Sequence, residues 1–201
     1  MRLSFDQIEK ASIIGAQAFQ NDPIFVYYYP NSEERHSRAI LQCEYAILLG
    51  ILSGEVHVSS NNLEGFAIWF PKGVEDYDLA NQSKVIVGRI RKVKRKLFSD
   101  PVFLEKYILT TDLYFLFQEK HANFPHWRLE MLAIDPTHQK EGFGSILLKT
   151  KLKYLDTQNL PCYLETHNKD NVAYYTNFGF ELVGTEKIPD SNLTCYGLLR
   201  K

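Results

Sequence analysis

The feature that most constrains the fold is the run IDPTHQKEGFGSILL, residues 134–148. In it a strand-like segment passes into a helix-like segment through a turn with two glycines. Small residues let the backbone of such a turn approach a ligand closely, and the helix that begins there directs free N–H groups and the positive end of its dipole at that ligand. Anionic oxygens, such as those of a pyrophosphate, suit this position. A strand-to-helix turn that binds nothing is the alternative.

Two common phosphate loops are excluded by the residues of this turn. The chain has no Gly-Lys-Ser/Thr sequence for a Walker loop, and the third glycine of a dinucleotide-binding fingerprint is missing. A phosphate bound here would therefore belong to neither an ATPase site nor a Rossmann site.

The order of the other elements predicts a mixed α/β (α+β) fold with helices flanking a sheet. Helical spacing of apolar residues predicts helical segments at 8–18, 32–51, 75–122, 144–158 and 169–178. Short β-branched and aromatic runs predict strands at 55–59, 65–70, 128–134, 162–166, 180–185 and 194–199. A chain of 201 residues can bury a full core, so we expect a single domain, 1–201, with the helices of about 75–122 as an insert.

Composition argues against partners chosen by bulk charge, because the formal net charge is only -1. The three cysteines form no CxxC pair and are interpreted as buried thiols in a reducing compartment. The first residues lack the pattern of a signal peptide, and the most apolar stretch, 45–52, is too short to span a bilayer. These features predict a cytoplasmic protein with no membrane or nucleic-acid partner.

Two runs resemble consecutive motifs of the GNAT acyltransferase superfamily. LAIDPTHQKEGFGSILL resembles motif A, a strand followed by Q/R-x-x-G-x-G/A, and LETHNKDNVAYYTNFGFELVG resembles the motif after it. The second run and the helical insert are similar to the puromycin N-acetyltransferase branch. The resemblance covers about residues 127–184. It implies a mixed, mostly antiparallel central sheet flanked by helices, with the insert between the third and fourth strands.

The resemblance also implies a site for acetyl-coenzyme A as co-substrate, with no metal. One strand edge would pair through its backbone with the pantetheine amides, the turn would surround the pyrophosphate, and two asparagines would contact the coenzyme. Helix capping is the alternative for the asparagines. The residues assigned in this way are Leu132, Ala133, Ile134, Gln139, Lys140, Glu141, Gly142, Phe143, Gly144, Ser145, Asn168 and Asn171.

An amine that attacks a thioester needs to lose a proton. A lysine-like amine has a pKa of about 10.4, so the free base is scarce at neutral pH and costs about 4 kcal/mol. Strand alternation places four residues on one face: Arg128, Glu130, Leu132 and Ile134. Glu130 is the first candidate for the base, and a structural ion pair with Arg128 is its alternative. Glu165 on the next strand is the second candidate, and water alone is the third possibility.

The leaving thiolate of coenzyme A needs a proton or a strong hydrogen bond. Tyr175 occupies the position of the tyrosine general acid in the motif that the second run resembles. Core packing beside Tyr174 and Phe178 is the alternative. The resemblance further implies that backbone N–H groups near Leu132 stabilise the oxyanion.

Other residues carry weaker signals. Six of the eight residues from Arg89 to Lys96 are basic, which fits a solvated helix face better than a nucleic-acid patch. The six histidines include no His-x-x-x-His pair, so we expect no metal site. Several aromatic residues could line an acceptor pocket or belong to the core: Tyr27, Tyr28, Tyr29, Trp69, Phe70 and Trp127.

The sequence therefore predicts an acetyl-coenzyme A-dependent N-acetyltransferase that acts by direct attack in a ternary complex, as a monomer or homodimer. The acceptor is expected to be a primary amine of a small molecule, because the insert could cover a pocket. A non-catalytic acyl-coenzyme A sensor, a protein or peptide N-acetyltransferase and a nucleic-acid-binding module on the basic helix are the alternatives.

Overall fold

One mixed sheet organises the residues that the computed structural model describes, which are 1–73 and 84–201. Its six strands lie in the order β1-β2-β3-β4-β6-β5, and only the neighbours β3 and β4 are parallel. The strands are β1 Glu55–Val58, β2 Gly65–Lys72, β3 His126–Ile134, β4 Cys162–Thr166, β5 Glu181–Lys187 and β6 Thr194–Arg200. The predicted fold class, a mostly antiparallel sheet flanked by helices, is confirmed.

The helices begin where the sequence supplies caps. Aspartate or asparagine side chains accept backbone N–H groups at the starts of α2, α3, α5 and α7. The short helix α2 was not predicted, because Asp22-Pro23 stops α1 and also begins the next helix. The helices are α1 Ile8–Ala18, α2 Pro23–Tyr28, α3 Ser32–Ser53, α4 Lys84–Leu97, α5 Pro101–His121, α6 Phe143–Thr157 and α7 Lys169–Thr176.

The helical insert consists of α4 and α5 in the described residues, and its predicted first part, 75–83, lies outside them. The insert lies between β2 and β3, the second and third strands, so its predicted place between the third and fourth strands is wrong. The reason lies at the amino end of the chain, where Arg2 makes an isolated bridge with His57 and no strand forms ahead of α1.

The two faces of the sheet are covered by different helices. Phe66, Ile68 and Ala133 pack with α1 and α3 on one face. Trp69 and Leu129 pack with α6 on the other. Since alternate residues of β2 point to opposite faces, this strand is buried from both sides and anchors the centre of the sheet.

A buried lysine joins α6 to the edge of the sheet. Lys151 is 1% exposed, its Nζ lies 2.8 Å from Glu55 Oε2 and it sits 3.2 Å from the centroid of the Trp127 ring. Burial raises the pKa of Glu55, but hydrogen bonds from His57 and Lys151 outweigh that effect and lower the pKa to about 2. This lysine charge is therefore satisfied within the core.

A β-bulge interrupts β3 near its middle. Ile68 of β2 is paired with Met131 and Trp69 with Leu129, so Glu130 is the extra residue. The parallel ladder between β3 and β4 ends at the same level, with Leu129 opposite Leu164. The two central strands therefore part beyond the bulge.

The bulge also corrects the predicted alternation of side chains. Leu132 and Ile134 pack against the α6 side of the sheet, whereas Arg128 lies on the other side with its guanidinium carbon 5.9 Å from the centroid of the Phe70 ring. The four residues predicted for one face are thus divided, because one extra residue reverses the phase of a two-residue repeat. Arg128 and Glu130 remain in contact.

Two glycine substitutions test this packing. A Cβ at Gly65 would lie 2.6 Å from the Ala133 carbonyl oxygen, so Gly65→Ala is expected to reduce the free energy of unfolding by about 2 kcal/mol or more. Gly88 in α4 has no atom within 4 Å of such a Cβ, so Gly88→Ala is expected to raise that free energy by up to about 1 kcal/mol. Urea unfolding measures both, and equal effects would contradict the β2–β3 register.

Candidate functional site

A cavity of about 520 Å³ opens where β3 and β4 part. Side chains from α2, α5, β3, β4 and α7 line it, so the helical insert contributes one wall. Residues that bring polar groups to this cavity are Asp22, Tyr28, Tyr107, Tyr114, Arg128, Glu130, Glu165, His167, Asn171 and Tyr175. The cavity thus combines aromatic surface with charge at the point where the parallel ladder ends.

Arg128 lies between the two candidate bases. Its Nη2 contacts Glu130 Oε2, and its Nη1 lies 3.8 Å from Glu165 Oε2. The ion pair that was the structural alternative for Glu130 is therefore present. The Glu165 side chain is 6% exposed and that of Glu130 is 31% exposed, so the more buried carboxylate has the weaker contact with the arginine.

The carboxylate of Glu165 is incompletely satisfied. Its Oε1 is buried and has no hydrogen-bond partner among the described residues. The Tyr163 hydroxyl lies beside this carboxylate and lowers the pKa of Glu165, but the geometry between the two groups does not complete a hydrogen bond. Burial raises the pKa of Glu165 to about 7, because the charge on Arg128 only partly offsets the loss of water. A carboxyl group with this pKa can accept a proton near neutral pH.

The insert brings residues to the cavity that the sequence analysis did not predict. Tyr107, Thr111, Tyr114 and Gln118 occupy one face of α5 and line the cavity. The signal was their spacing of three and four residues, which places them on one side of the helix. His167 also lines the cavity, and its Nε2 lies 3.0 Å from the Tyr114 hydroxyl. Burial lowers the pKa of His167 to about 4, so this imidazole is neutral at pH 7.

Tyr175 lines the same cavity from α7. It is 8% exposed and its ring packs edge-on against Phe180 and Tyr174. The core packing that was its alternative role is therefore present together with a place at the cavity. Burial raises the pKa of the Tyr175 hydroxyl, so it keeps its proton at neutral pH.

The two-glycine turn lies at the amino end of α6. Asp135 begins it by accepting the Thr137 N–H, and Gly142 has a left-handed backbone with φ +91°. A Cβ at Gly142 would meet nothing within 4 Å, so the turn is open on that side. The first helical bond runs from Ile146 N to Gly142 O, which leaves the N–H groups of the first turn outside the helical ladder. Three predicted turn residues are exposed: Gln139, Lys140 and Glu141.

The second half of β3 offers a backbone edge beside this turn. Leu132, Ala133 and Ile134 pair with β2 on one side, and the ladder with β4 has already ended at Leu129. In an antiparallel pair the N–H and C=O groups of successive residues point alternately to the two sides. Backbone groups of this segment are therefore directed into the gap between β3 and β4.

The two asparagines of the second motif differ in their contacts. The side-chain oxygen of Asn168 accepts the Asp170 N–H at 3.0 Å. Asn168 therefore caps α7, which is the alternative role predicted for it. Asn171 lines the cavity, and its Nδ2 lies 3.2 Å from Thr166 Oγ1. Gly144, at the start of α6, faces α7, because a Cβ there would lie 3.0 Å from the Tyr174 hydroxyl.

The aromatic candidates divide between the core and the cavity. Trp69 and Trp127 are buried under α6. Tyr28 and Phe70 line the cavity. The pocket and core interpretations of these residues are thus each correct for part of the set.

The basic run lies on α4, away from the cavity-lining residues. Val93 is buried, whereas Lys92, Lys94 and Arg95 are exposed, as the prediction of a solvated face required. Arg89 is held to α3 by an ion pair with Glu44 at 2.6 Å. Among the described residues, no three His, Cys, Asp or Glu side chains are grouped to hold a metal ion, and no described helix is long and apolar enough to cross a membrane.

The mixed sheet with its parted parallel strands, and the turn that opens α6, have the fold of solved GNAT acetyltransferase structures. The model of the acetyltransferase (GNAT) family matches residues 107–180, which include β3, the turn, α6, β4 and α7. Residues 107–180 therefore resemble a GNAT-family acetyltransferase domain.

Known proteins share this fold across most of the chain. An uncharacterised N-acetyltransferase of Schizosaccharomyces pombe is 22% identical over 89% of this chain and 72% of its own length. A Corynebacterium glutamicum structure named "histone acetyltransferase HPA2 and related acetyltransferase" is 19% identical, with a TM-score of 0.68 over 100% of this chain and 93% of that one. Arylalkylamine N-acetyltransferase 2 of Aedes aegypti is 9% identical, with a TM-score of 0.59 over 100% and 96%.

The raised pKa of Glu165 has a consequence for stability. The ordinary value is 4.5 and the folded value about 7, so ionising this group costs the folded state stability as pH rises from about 4.5 through 7. Glu165→Gln keeps the shape of the protonated acid, and its advantage over wild type is expected to grow by about 2–3 kcal/mol between pH 5 and pH 8.

Urea unfolding at the two pH values measures this advantage. Glu181→Gln removes an exposed carboxylate on β5 and serves as the matched control, with no such growth expected. An advantage of Glu165→Gln that is the same at both pH values would show that Glu165 is not perturbed.

Proposed function

We propose that this protein transfers an acetyl group from acetyl-coenzyme A to a primary amine of a small molecule, by direct attack in a ternary complex. The observation that carries the proposal is the pair of Glu165 and Tyr175 in one cavity, at the gap between β3 and β4. The named activities of structural neighbours, which include arylalkylamine acetylation, agree with it. A cytoplasmic location, a single domain and a monomeric or homodimeric state remain predictions.

The residues present fit acetyl-coenzyme A, which supplies the acetyl thioester when bound. The open turn at Gly142 and the free N–H groups at the start of α6 suit the pyrophosphate. The backbone edge of 132–134 suits the amides of the pantetheine arm. Asn171 points to the same gap, whereas the side-chain oxygen of Asn168 is already used as a helix cap. The turn, the strand edge and Asn171 therefore support a coenzyme site that runs from the turn to the cavity.

Glu165 is the better supported base. Its Oε1 lacks a hydrogen-bond partner among the described residues, and its pKa of about 7 lets it gain and lose a proton near neutral pH. Glu130 contacts Arg128 directly, so its carboxylate is already committed to an ion pair. We therefore place Glu165 ahead of Glu130, which the sequence favoured, and assign Glu130 to holding Arg128 in place.

Tyr175 suits the role of general acid. Its buried hydroxyl keeps its proton at neutral pH, and the residue lines the same cavity as the carboxylates. In the proposed reaction the amine nitrogen bonds to the acetyl carbon, Glu165 takes the amine proton, and Tyr175 gives a proton to the sulfur that leaves. Backbone N–H groups of β3 near Leu132 are assigned to the oxyanion.

Coenzyme binding is tested first by calorimetric titration of acetyl-coenzyme A and ATP. Wild type is expected to bind acetyl-coenzyme A and not ATP. Gly142→Asp puts bulk and negative charge in the turn and is expected to weaken binding at least about tenfold more than Gly142→Asn, which has similar bulk without the charge. Undiminished binding by Gly142→Asp would show that the turn does not hold the pyrophosphate.

The role of Tyr175 is tested by thiol release with a panel of primary amines. Tyr175→Phe keeps the ring and removes the proton donor, so kcat is expected to fall about 100-fold or more, with the KM for acetyl-coenzyme A unchanged within about twofold. Tyr154→Phe, on the exposed side of α6, is the control. Acetyl-coenzyme A binding without thiol release from any amine would favour the coenzyme A sensor instead.

A further inference from the structure

We infer that the cavity binds the acceptor as an ammonium cation against Glu165, and that it rejects amines with a carboxylate or phosphate beside the amino group. This inference rests on the proposed function, because it names the class of acceptor for the same site. It goes beyond that function in assigning a charge requirement and the residues that impose it.

The charged residues described around the cavity would be better balanced by one more cation. Arg128 is the cation, and Glu130 and Glu165 are the carboxylates within its reach. Asp22 adds a third carboxylate, and His167 is neutral at pH 7 because burial lowers its pKa to about 4. The described lining therefore holds one cation against three carboxyl groups, and ionisation of Glu165 increases its excess of negative charge.

The atom that would bind this cation is Glu165 Oε1. Glu165 is 94% buried, as the 6% exposure of its side chain shows, and Oε1 has no hydrogen-bond partner among the described residues. A buried carboxylate oxygen without a donor is costly, and an ammonium group carries three donors. Binding a cation there would offset the burial that keeps the pKa of Glu165 high. The same contact would place the ammonium proton on the path to the proposed base.

Aromatic rings line the cavity that holds Glu165. Tyr107 and Tyr114 from α5 and Tyr28 from α2 line the cavity, and all three are close enough to Glu130 to interact with it electrostatically. Burial raises the pKa of each hydroxyl, so these walls add no negative charge of their own. Aromatic faces attract an ammonium ion, and they pack equally well against an apolar arm.

The cavity is small for a second charged group. Its volume of about 520 Å³ must also admit the acetyl end of the coenzyme, and pockets for whole drug-sized ligands span about 300–1,000 Å³. A carboxylate on the carbon that bears the amine would be held close to Glu165 and Glu130, where like charges repel. Arg128 cannot compensate, because its guanidinium is already shared between these two glutamates.

The test uses four probes that share one phenyl arm: 2-phenylethylamine, L-phenylalaninol, L-phenylalanine and 2-phenylethanol. Phenylalaninol replaces the carboxylate of phenylalanine with a neutral group of similar size, and phenylethanol lacks the amine. Binding is measured by calorimetry and acetyl transfer by thiol release. We expect 2-phenylethylamine and L-phenylalaninol to bind. L-phenylalanine and 2-phenylethanol are expected to bind at least about 100-fold more weakly.

Variants locate the ammonium contact. Glu165→Gln is expected to weaken calorimetric binding of 2-phenylethylamine at least about tenfold while acetyl-coenzyme A binding is retained. Glu105→Gln removes an exposed carboxylate of α5 outside the cavity lining and is the matched control.

The outcomes separate this inference from the proposed function. Equal binding of phenylalanine and phenylalaninol, or no binding of any amine, overturns the charge requirement even if other amines are acetylated. Selective amine binding without thiol release supports the ammonium site and sinks the acetyl transfer. Unchanged amine binding by Glu165→Gln would also overturn the inference, since the contact would then lie elsewhere.

Discussion

The site depends on the place where hydrogen bonding between two parallel strands stops. The bulge at Glu130 takes one residue out of register with β2, and the ladder from β3 to β4 ends beside it at Leu129 and Leu164. Below this level β3 is paired with both β2 and β4. Above it the strands part and leave free backbone, a cavity and the side chains of β4 exposed to a ligand. One extra residue thus separates the part of the sheet that stabilises the fold from the part that can bind.

Much of the fold could be predicted because its signals are local. Capping residues, apolar periodicity and the two-glycine turn mark most helices and strands, and the order of these elements fixes the mixed sheet. The bulge could not be predicted, because Glu130 continues an ordinary alternating pattern and only pairing with β2 reveals the extra residue. The assignment of Arg128, Leu132 and Ile134 to one face failed for this reason, while the contact between Arg128 and Glu130 was anticipated.

The sequence predicted which residues belong to the candidate site, but it did not predict how their side chains are buried and paired. Glu130, Glu165 and Tyr175 come from separate elements and line one cavity. Only their packing in the fold shows that Glu165 Oε1 has no hydrogen-bond partner among the described residues. The Glu165 oxygen that lacks a hydrogen bond lowers the stability of the fold, and it is available to accept a proton in the proposed reaction. By contrast, Lys151 and Glu55 form a buried pair that is fully matched and lies outside the cavity lining. At the cavity, the molecule therefore tolerates a buried carboxylate with one oxygen that has no hydrogen-bond partner among the described residues.

The wall supplied by α5 has a consequence for how such a protein can change over generations. Phe103, Thr110 and Phe117 hold the helix through buried contacts, and Tyr107 and Tyr114 lie on the adjoining face, which lines the cavity. Substitutions on that second face alter the wall without removing a side chain from the sheet's core. The turn and strand edge assigned to the coenzyme belong to a separate stretch of chain. Selectivity for the acceptor can accordingly change under selection while the part proposed to bind the coenzyme stays the same.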